Sequence, residues 1–328
     1  MKNQILSNLA KDYFKYKNKY RHLSVSKDGK KRFDLAEGLW SKNKIAQLPD
    51  RNSSQLKKVL AIFLGIKPEN ISVFAGADEI IEIIPRLYLN PKQRVMVIVP
   101  TFERLITTNI KAGAKVVSFK LNQETNFKLE ESNASKLIEI VSKDSTKLVW
   151  ICTPNNPTGQ TINLGVIEKI ARSVPKSLVI INEVYQEYFS LDNKDSAVSL
   201  INKFPNLIVI RSFSKAFGLA GVRVGYVVAD SEIISQFENF RTMYNLSSYA
   251  HDYAVSALSP ESLTSTRAAL NRISKEKEKL IEHINNLSNF EVVASKTNFI
   301  FLRHKNKDLF DELYIKGFVV SDWREALE

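Results

Sequence analysis

Cysteine is nearly absent: Cys152 is the only one in 328 residues. A single thiol forms no intrachain disulfide, so no disulfide framework holds this fold. Histidine is scarce too, with only His22, His251, His283 and His304. Their spacing matches no zinc-ligand pattern, and no metal site is readable. No stretch approaches the roughly 20 apolar residues that span a bilayer. The amino-terminal stretch is polar and lysine-rich, without the apolar core of a secretory signal. The expected location is therefore a reducing cytoplasm, with no membrane partner. No internal repeat or low-complexity tract is present. Gly218, Gly221 and Gly225 do not follow Gly-x-Gly-x-x-Gly. This speaks against a dinucleotide-binding oxidoreductase.

What remains is ordinary globular material. The chain is 44% hydrophobic and long enough to bury a large core and divide into two domains. Its net charge is +12, from 47 Lys and Arg against 35 Asp and Glu. Such a balance fits a solvated surface, attraction of an acidic substrate, or nucleic acid. The lysines are scattered among Asn and Ile and form no stripe, and no nucleic-acid motif occurs. Solvated surface is thus the leading reading, with a phosphorylated substrate second and no nucleic-acid partner expected.

Short apolar runs alternate with helical patterns. Strands are expected at Ile71 to Phe74, Val95 to Val99, Val116 to Phe119, Leu148 to Cys152, Leu178 to Ile181, Leu207 to Ile210 and Val224 to Val228. Near-continuous apolar strands imply a mostly parallel sheet covered on both faces. Leu56 to Leu64 is amphipathic and stops at Gly65. Asp78 to Leu89 has helical spacing, with Asp78 a candidate N-cap and Pro85 expected to kink it. A long charged helix is expected from about Pro260 to Leu287. Residues 1–52, which include the basic stretch Lys27 to Arg32, read as an N-terminal arm or small-domain segment. Residues 53–259 form a large domain; residues 260–328 form a linker helix and a small C-terminal domain.

Four segments carry chemistry. The first is Ser212-Phe213-Ser214-Lys215, followed by Arg223. Hydroxyls and an arginine suit a phosphate, and a lysine amine forms a Schiff base with an aldehyde. Together they describe a site for pyridoxal 5′-phosphate (PLP). The second is the turn Thr153-Pro154-Asn155-Asn156-Pro157-Thr158-Gly159, where the Asn156 amide offers a donor. The third is Asn182-Glu183-Val184-Tyr185, at a strand's carboxyl end, where ligands of open α/β sheets collect. The fourth is Gly76-Ala77-Asp78-Glu79, where a helix N-terminus offers backbone N–H groups to an anion. Each alone is also plain turn chemistry, Lys215 alone is also a solvated charge, and Cys152 reads as a small buried residue.

In this order the segments resemble the class I/II aminotransferases of PLP fold type I. Among these, the chain is most similar to histidinol-phosphate aminotransferases, from about Phe33 onward. The resemblance implies a large domain with an about seven-stranded sheet between helices, plus a small α+β domain. It implies catalytic roles for Lys215, Asn182 and Tyr185. Lys215 would bond the cofactor and shuttle a proton. Ser212, Ser214 and Arg223 would bind its phosphate, helped by Gly76, Ala77 and Asp78. Phe102 would stack on the pyridine ring, and Asn156 and Tyr185 would hydrogen-bond the phenolic oxygen. A homodimer is implied, with Tyr244 and Asn245 near the interface.

Three departures from the family pattern stand out. Asn182 occupies the place of an aspartate that pairs with the pyridine nitrogen. Its neutral amide can donate to an unprotonated nitrogen or accept from a protonated one. Loss of such a charge-assisted bond costs on the order of 1.5–3 kcal/mol, so weakened transamination, a specialised reaction or an altered protein is expected, and the sequence does not separate these. Leu48, before Pro49, replaces a tyrosine that reaches the partner subunit's cofactor phosphate. The chain stops at Trp323 to Glu328, before the strand and helix that complete the family's small domain. The small domain is thus expected to end short, with an open sheet edge. Arg324 either stands in for the missing substrate-binding arginine or is merely solvated. The expected activity is PLP-dependent transfer of an amino group between a small-molecule donor and acceptor, phosphorylated or not. A phosphoamino-acid decarboxylase and a PLP binder with little catalysis remain the alternatives.

Overall fold

The computed structural model describes residues 6–19 and 48–323. The basic stretch at 27–32 and Arg324 lie outside the described residues. Seven strands build one sheet: β1 (Ile71–Phe74), β2 (Arg94–Val99), β3 (Lys115–Lys120), β4 (Leu148–Cys152), β5 (Leu178–Asn182), β6 (Leu207–Ser212) and β7 (Gly225–Ala229). Their order is β1-β7-β6-β5-β4-β2-β3. The strands β2 to β6 pair in parallel, whereas β7 runs antiparallel to both β6 and β1. The mostly parallel, seven-stranded α/β sheet expected from the apolar runs is present.

Helices cover both faces: α1 (Asn8–Lys19), α2 (Ser54–Leu64), α3 (Ala77–Tyr88), α4 (Arg104–Lys111), α5 (Glu131–Lys143), α6 (Leu164–Ser173), the one-turn α7 (Gln186–Phe189), α8 (Ser231–Phe240) and α9 (Ser248–Ala257). Successive strand residues point to opposite faces. Val149, Ile151, Val179, Ile181 and Val209 pack into one core with α2, α5 and α6. Leu148, Trp150, Leu178, Ile180, Ile208 and Ile210 pack into the other with α1, α3, α4 and α8. Both faces being buried is why these strands are apolar at nearly every position.

The helix α3 starts one residue earlier than its spacing suggests. Gly76 is the N-cap, so Asp78 sits in the first turn and is not the cap. The helix continues through Pro85 to Tyr88. The long helix α10 (Pro260–Asn285) starts with Ser259, whose side chain accepts from Ser262 N. It leads to a two-stranded antiparallel sheet, β8 (Phe290–Val293) and β9 (Phe301–His304), and then α11 (Leu309–Ile315). No helix among the described residues is long and apolar enough to cross a membrane. No cluster able to hold a metal occurs among them.

Candidate active site

Parallel pairing brings the carboxyl ends of β4, β5 and β6 together, and the four sequence segments gather there. Cys152 and Asn182 are register partners at the ends of β4 and β5, as are Asn182 and Ile210. Buried Cys152 is held as a neutral thiol, since burial pushes its pKa up to about 11.

The turn after β4 divides its two asparagines. Asn155 is buried and structural: its Nδ2 donates to Pro100 O and to Thr158 Oγ1, both at 2.9 Å. Asn156 is half-buried and lines a cleft of about 1160 Å³ with Tyr185 and Phe299. The same cleft is lined by Arg303, His304 and Lys307 and by Glu291, Asp308 and Asp322, with Arg303 paired to Glu291 and Lys307 to Glu312. Phe102 is half-buried and packs on the α3 side of the sheet.

Beyond β6, Ser212 Oγ accepts from Ser214 N at 3.1 Å and also lies 3.4 Å from Val224 O. This turns the chain so that Ser214 and Lys215 emerge from the sheet. Lys215 Nζ lies 5.4 Å from the ring centroid of Tyr185, a cation–π distance. Phe299 meets the same ring edge-on at 5.2 Å. Burial raises the Tyr185 phenol to about 12, helped by Cys152 and Tyr188 nearby. The phenol therefore remains a hydrogen-bond donor throughout the neutral range.

Arg223 closes the site on the β7 side. It has left-handed backbone geometry, φ 57°. Its Nη1 donates to Ser214 Oγ at 3.3 Å and to Ala220 O at 3.0 Å. Its Nη2 lies 3.6 Å from an Asp78 carboxylate oxygen. The guanidinium lies so close to Gly76 that a Cβ there would stand 2.3 Å from Nη2. At Gly225 a Cβ would stand 2.6 Å from Ala77 N, so β7 and the start of α3 are in close backbone contact. The result is a cradle of arginine, serine and the N-terminus of a three-turn helix, all attracting anions. It fits a phosphate, and Lys215 stands on the turn that carries Ser214. The residues present therefore suit PLP: a phosphate cradle, an amine for its aldehyde, and polar groups for its ring.

Behind the site lies a buried ion cluster that motif reading missed. Arg211, fully enclosed on β6, donates to Glu183 at 2.8 Å, Glu187 at 2.7 Å, Ser196 at 2.7 Å and Asn193 at 3.0 Å. Burial raises the pKa of Glu187 despite the arginine. Sequence offered only one faint signal, an arginine inside an apolar strand. A second missed contact joins Gly159, in the turn after β4, to Ser295: a Cβ on Gly159 would stand 2.2 Å from Ser295 Oγ. Lys277 on α10 donates to Ser295 O and Thr297 O at 2.7 and 2.6 Å, which fixes this junction. Of the candidate interface pair, Asn245 is used internally, donating to Val73 O at 2.9 Å and accepting from Arg241 at 3.1 Å. Leu48 is exposed.

A family model for aminotransferases of class I and II matches residues 15–326. The histidinol-phosphate aminotransferase of Thermoanaerobacter pseudethanolicus is 35% identical over 279 residues, covering 85% of this chain and 76% of that one. The crystal structure of histidinol-phosphate aminotransferase from Clostridium acetobutylicum superposes with a TM-score of 0.78 at 26% identity, covering 87% of this chain and 83% of that one. The Sinorhizobium meliloti histidinol-phosphate aminotransferase, solved with pyridoxal 5′-phosphate, shares the fold with a TM-score of 0.75 at 21% identity, over 96% and 78% of the two chains.

Proposed function

Because this chain belongs to the class I and II aminotransferases, and so is a PLP-dependent aminotransferase acting on small-molecule amino donors and acceptors, we propose how its own residues divide the work. When bound, PLP supplies an aldehyde carbon and an electron-accepting ring. Arg223, Ser214 and the backbone N–H groups of Ala77 and Asp78 would hold its phosphate, with Gly76 leaving room for the guanidinium. Ser212 holds the turn that presents Ser214 and Lys215. Lys215 is the amine that would hold the cofactor's aldehyde and would move the proton at the substrate Cα. Tyr185 and Asn156 would donate to the phenolic oxygen, Phe102 would cover the ring, and Asn182 would meet its nitrogen. The observation that carries this reading is the cradle of Arg223 over Gly76, beside a lysine held 5.4 Å from Tyr185.

The substrate is a small amine or amino acid bearing a phosphate, of the kind its relatives' names describe. The net charge of +12 supports an anionic substrate. The enzyme works as a homodimer in the cytoplasm, and exposed Met243, Tyr249 and Tyr253 supply apolar surface for the partner. The test is the absorption spectrum of purified protein with PLP, before and after glutamate. A PLP band that converts to the pyridoxamine form supports the reading. A band unmoved by glutamate or by any other donor points to the decarboxylase or silent-binder alternative. No band in folded protein overturns it.

A further inference from the structure

A buried side-chain amide has a donor end and an acceptor end, and its neighbours decide which end faces a ligand. Asn182 is the last residue of β5 and is 3% exposed. The backbone N–H of Val184 lies 3.3 Å from its Oδ1. A backbone N–H can only donate, so this contact engages the oxygen and leaves Nδ2 as the uncommitted end. Nδ2 has no hydrogen-bond partner among the described residues, and it is not among their enclosed, unpartnered atoms.

The neighbouring titratable groups do not supply a free negative charge. Glu183, the next residue, uses Oε2 on Arg211 and Ser196, and Oε1 on Ala197 N. Glu187 accepts from Arg211 through Oε1, its enclosed Oε2 has no hydrogen-bond partner, and burial raises its pKa. Cys152, opposite Asn182 in the sheet, is a neutral thiol, and Tyr185 is a neutral phenol. Asp78 is beside Arg223 and Arg104. The end of β5 thus presents a neutral N–H donor at Asn182 itself, with the adjacent Glu183 committed to Arg211, Ser196 and Ala197.

We propose that Asn182 donates its Nδ2–H to the pyridine nitrogen of bound PLP and holds that nitrogen unprotonated. The inference rests on the placement of PLP argued above. A donor and a protonated nitrogen would set two hydrogens against each other, whereas an unprotonated nitrogen offers the lone pair that Nδ2 lacks. A ring without that proton draws electrons less strongly from the reacting carbon. The site is therefore tuned to a weaker electron sink, and more of the proton handling at Cα falls to Lys215.

The experiment uses full-length holoenzyme loaded with PLP carrying 15N at the ring nitrogen, followed by NMR between pH 6 and 8.5. The expected wild-type shift is that of an unprotonated, hydrogen-bonded pyridine throughout the range. Asn182→Asp, nearly isosteric, should move it to the pyridinium position and raise the glutamate half-reaction at least tenfold. Asn182→Ala should leave the nitrogen unprotonated and weaken PLP binding several-fold. A pyridinium shift in the wild type overturns the inference while leaving the PLP site intact. Folded protein that retains no labelled PLP overturns the placement of the cofactor, and this inference with it.

Discussion

Arg223 lies across Gly76, and the one contact explains the other residue: a Cβ at Gly76 would stand 2.3 Å from Nη2. Gly76 also has φ 89°, a geometry that L side chains resist. Gly76→Ala is expected to displace the guanidinium from the α3 N-terminus and weaken PLP binding at least tenfold. Titration of the apoenzyme with PLP, followed by absorbance, measures it. Unchanged affinity would remove Arg223 from the phosphate site.

Lys215 is exposed and meets Tyr185 through its charge, and it is no part of either core. Lys215→Ala is therefore expected to leave the fold and melting temperature nearly unchanged. It should abolish the PLP absorption band that borohydride fixes, together with transaminase activity. Circular dichroism and the visible spectrum, taken on one sample, separate the two effects.

Arg211 ties the end of β5 to β6 through Glu183 and ties α7 to the same point through Glu187. These strands carry Asn182 and Ser212, and Tyr185 is the residue that precedes α7. Removing one partner leaves uncompensated buried charge, at a cost of about 3–5 kcal/mol. Arg211→Met should lower stability by that amount in urea denaturation. A loss below about 1 kcal/mol would show that the cluster relaxes without its cation.

Glu238 joins α8 to α2 and β1. It accepts from Lys57 at 2.6 Å, Ser72 at 2.7 Å and Arg241 at 2.7 Å. Burial alone would raise its pKa, but Lys57 and Arg241 reverse this and hold it below the usual value. A depressed carboxylate contributes stability above its unfolded pKa of about 4.3 and loses it as pH falls through the lower folded value. Glu238→Gln should therefore reduce stability at pH 7 and flatten its decline between about pH 5 and 3. Urea midpoints across that range test both, and parallel curves for the two proteins would argue against the linkage.

Most of the sheet was legible because burial on both faces demands apolar residues at successive positions. Thus β4 and β5 could be located from composition alone. The antiparallel direction of β7 was not legible, since an apolar strand reads the same from either end. Asp78 illustrates a local limit. It has the residue type of an N-cap, yet Gly76 takes that place because the chain must pass beneath Arg223. Asn155 and Asn156 illustrate another. They are the same residue type in one turn, and only the proximity of Pro100 O and Thr158 makes one structural and leaves the other at the cleft.

The sequence by itself determined the alternation of strands and helices, the lysine and its hydroxyl neighbours, and the neutral residue at position 182. These follow from residue type and local spacing, which the chain carries wherever it folds. Only the tertiary structure decided that Arg211 has two buried carboxylates and that Gly76 leaves room for a guanidinium. Those facts depend on what distant segments bring within hydrogen-bond range, about 3 Å, and no local pattern encodes such a distance.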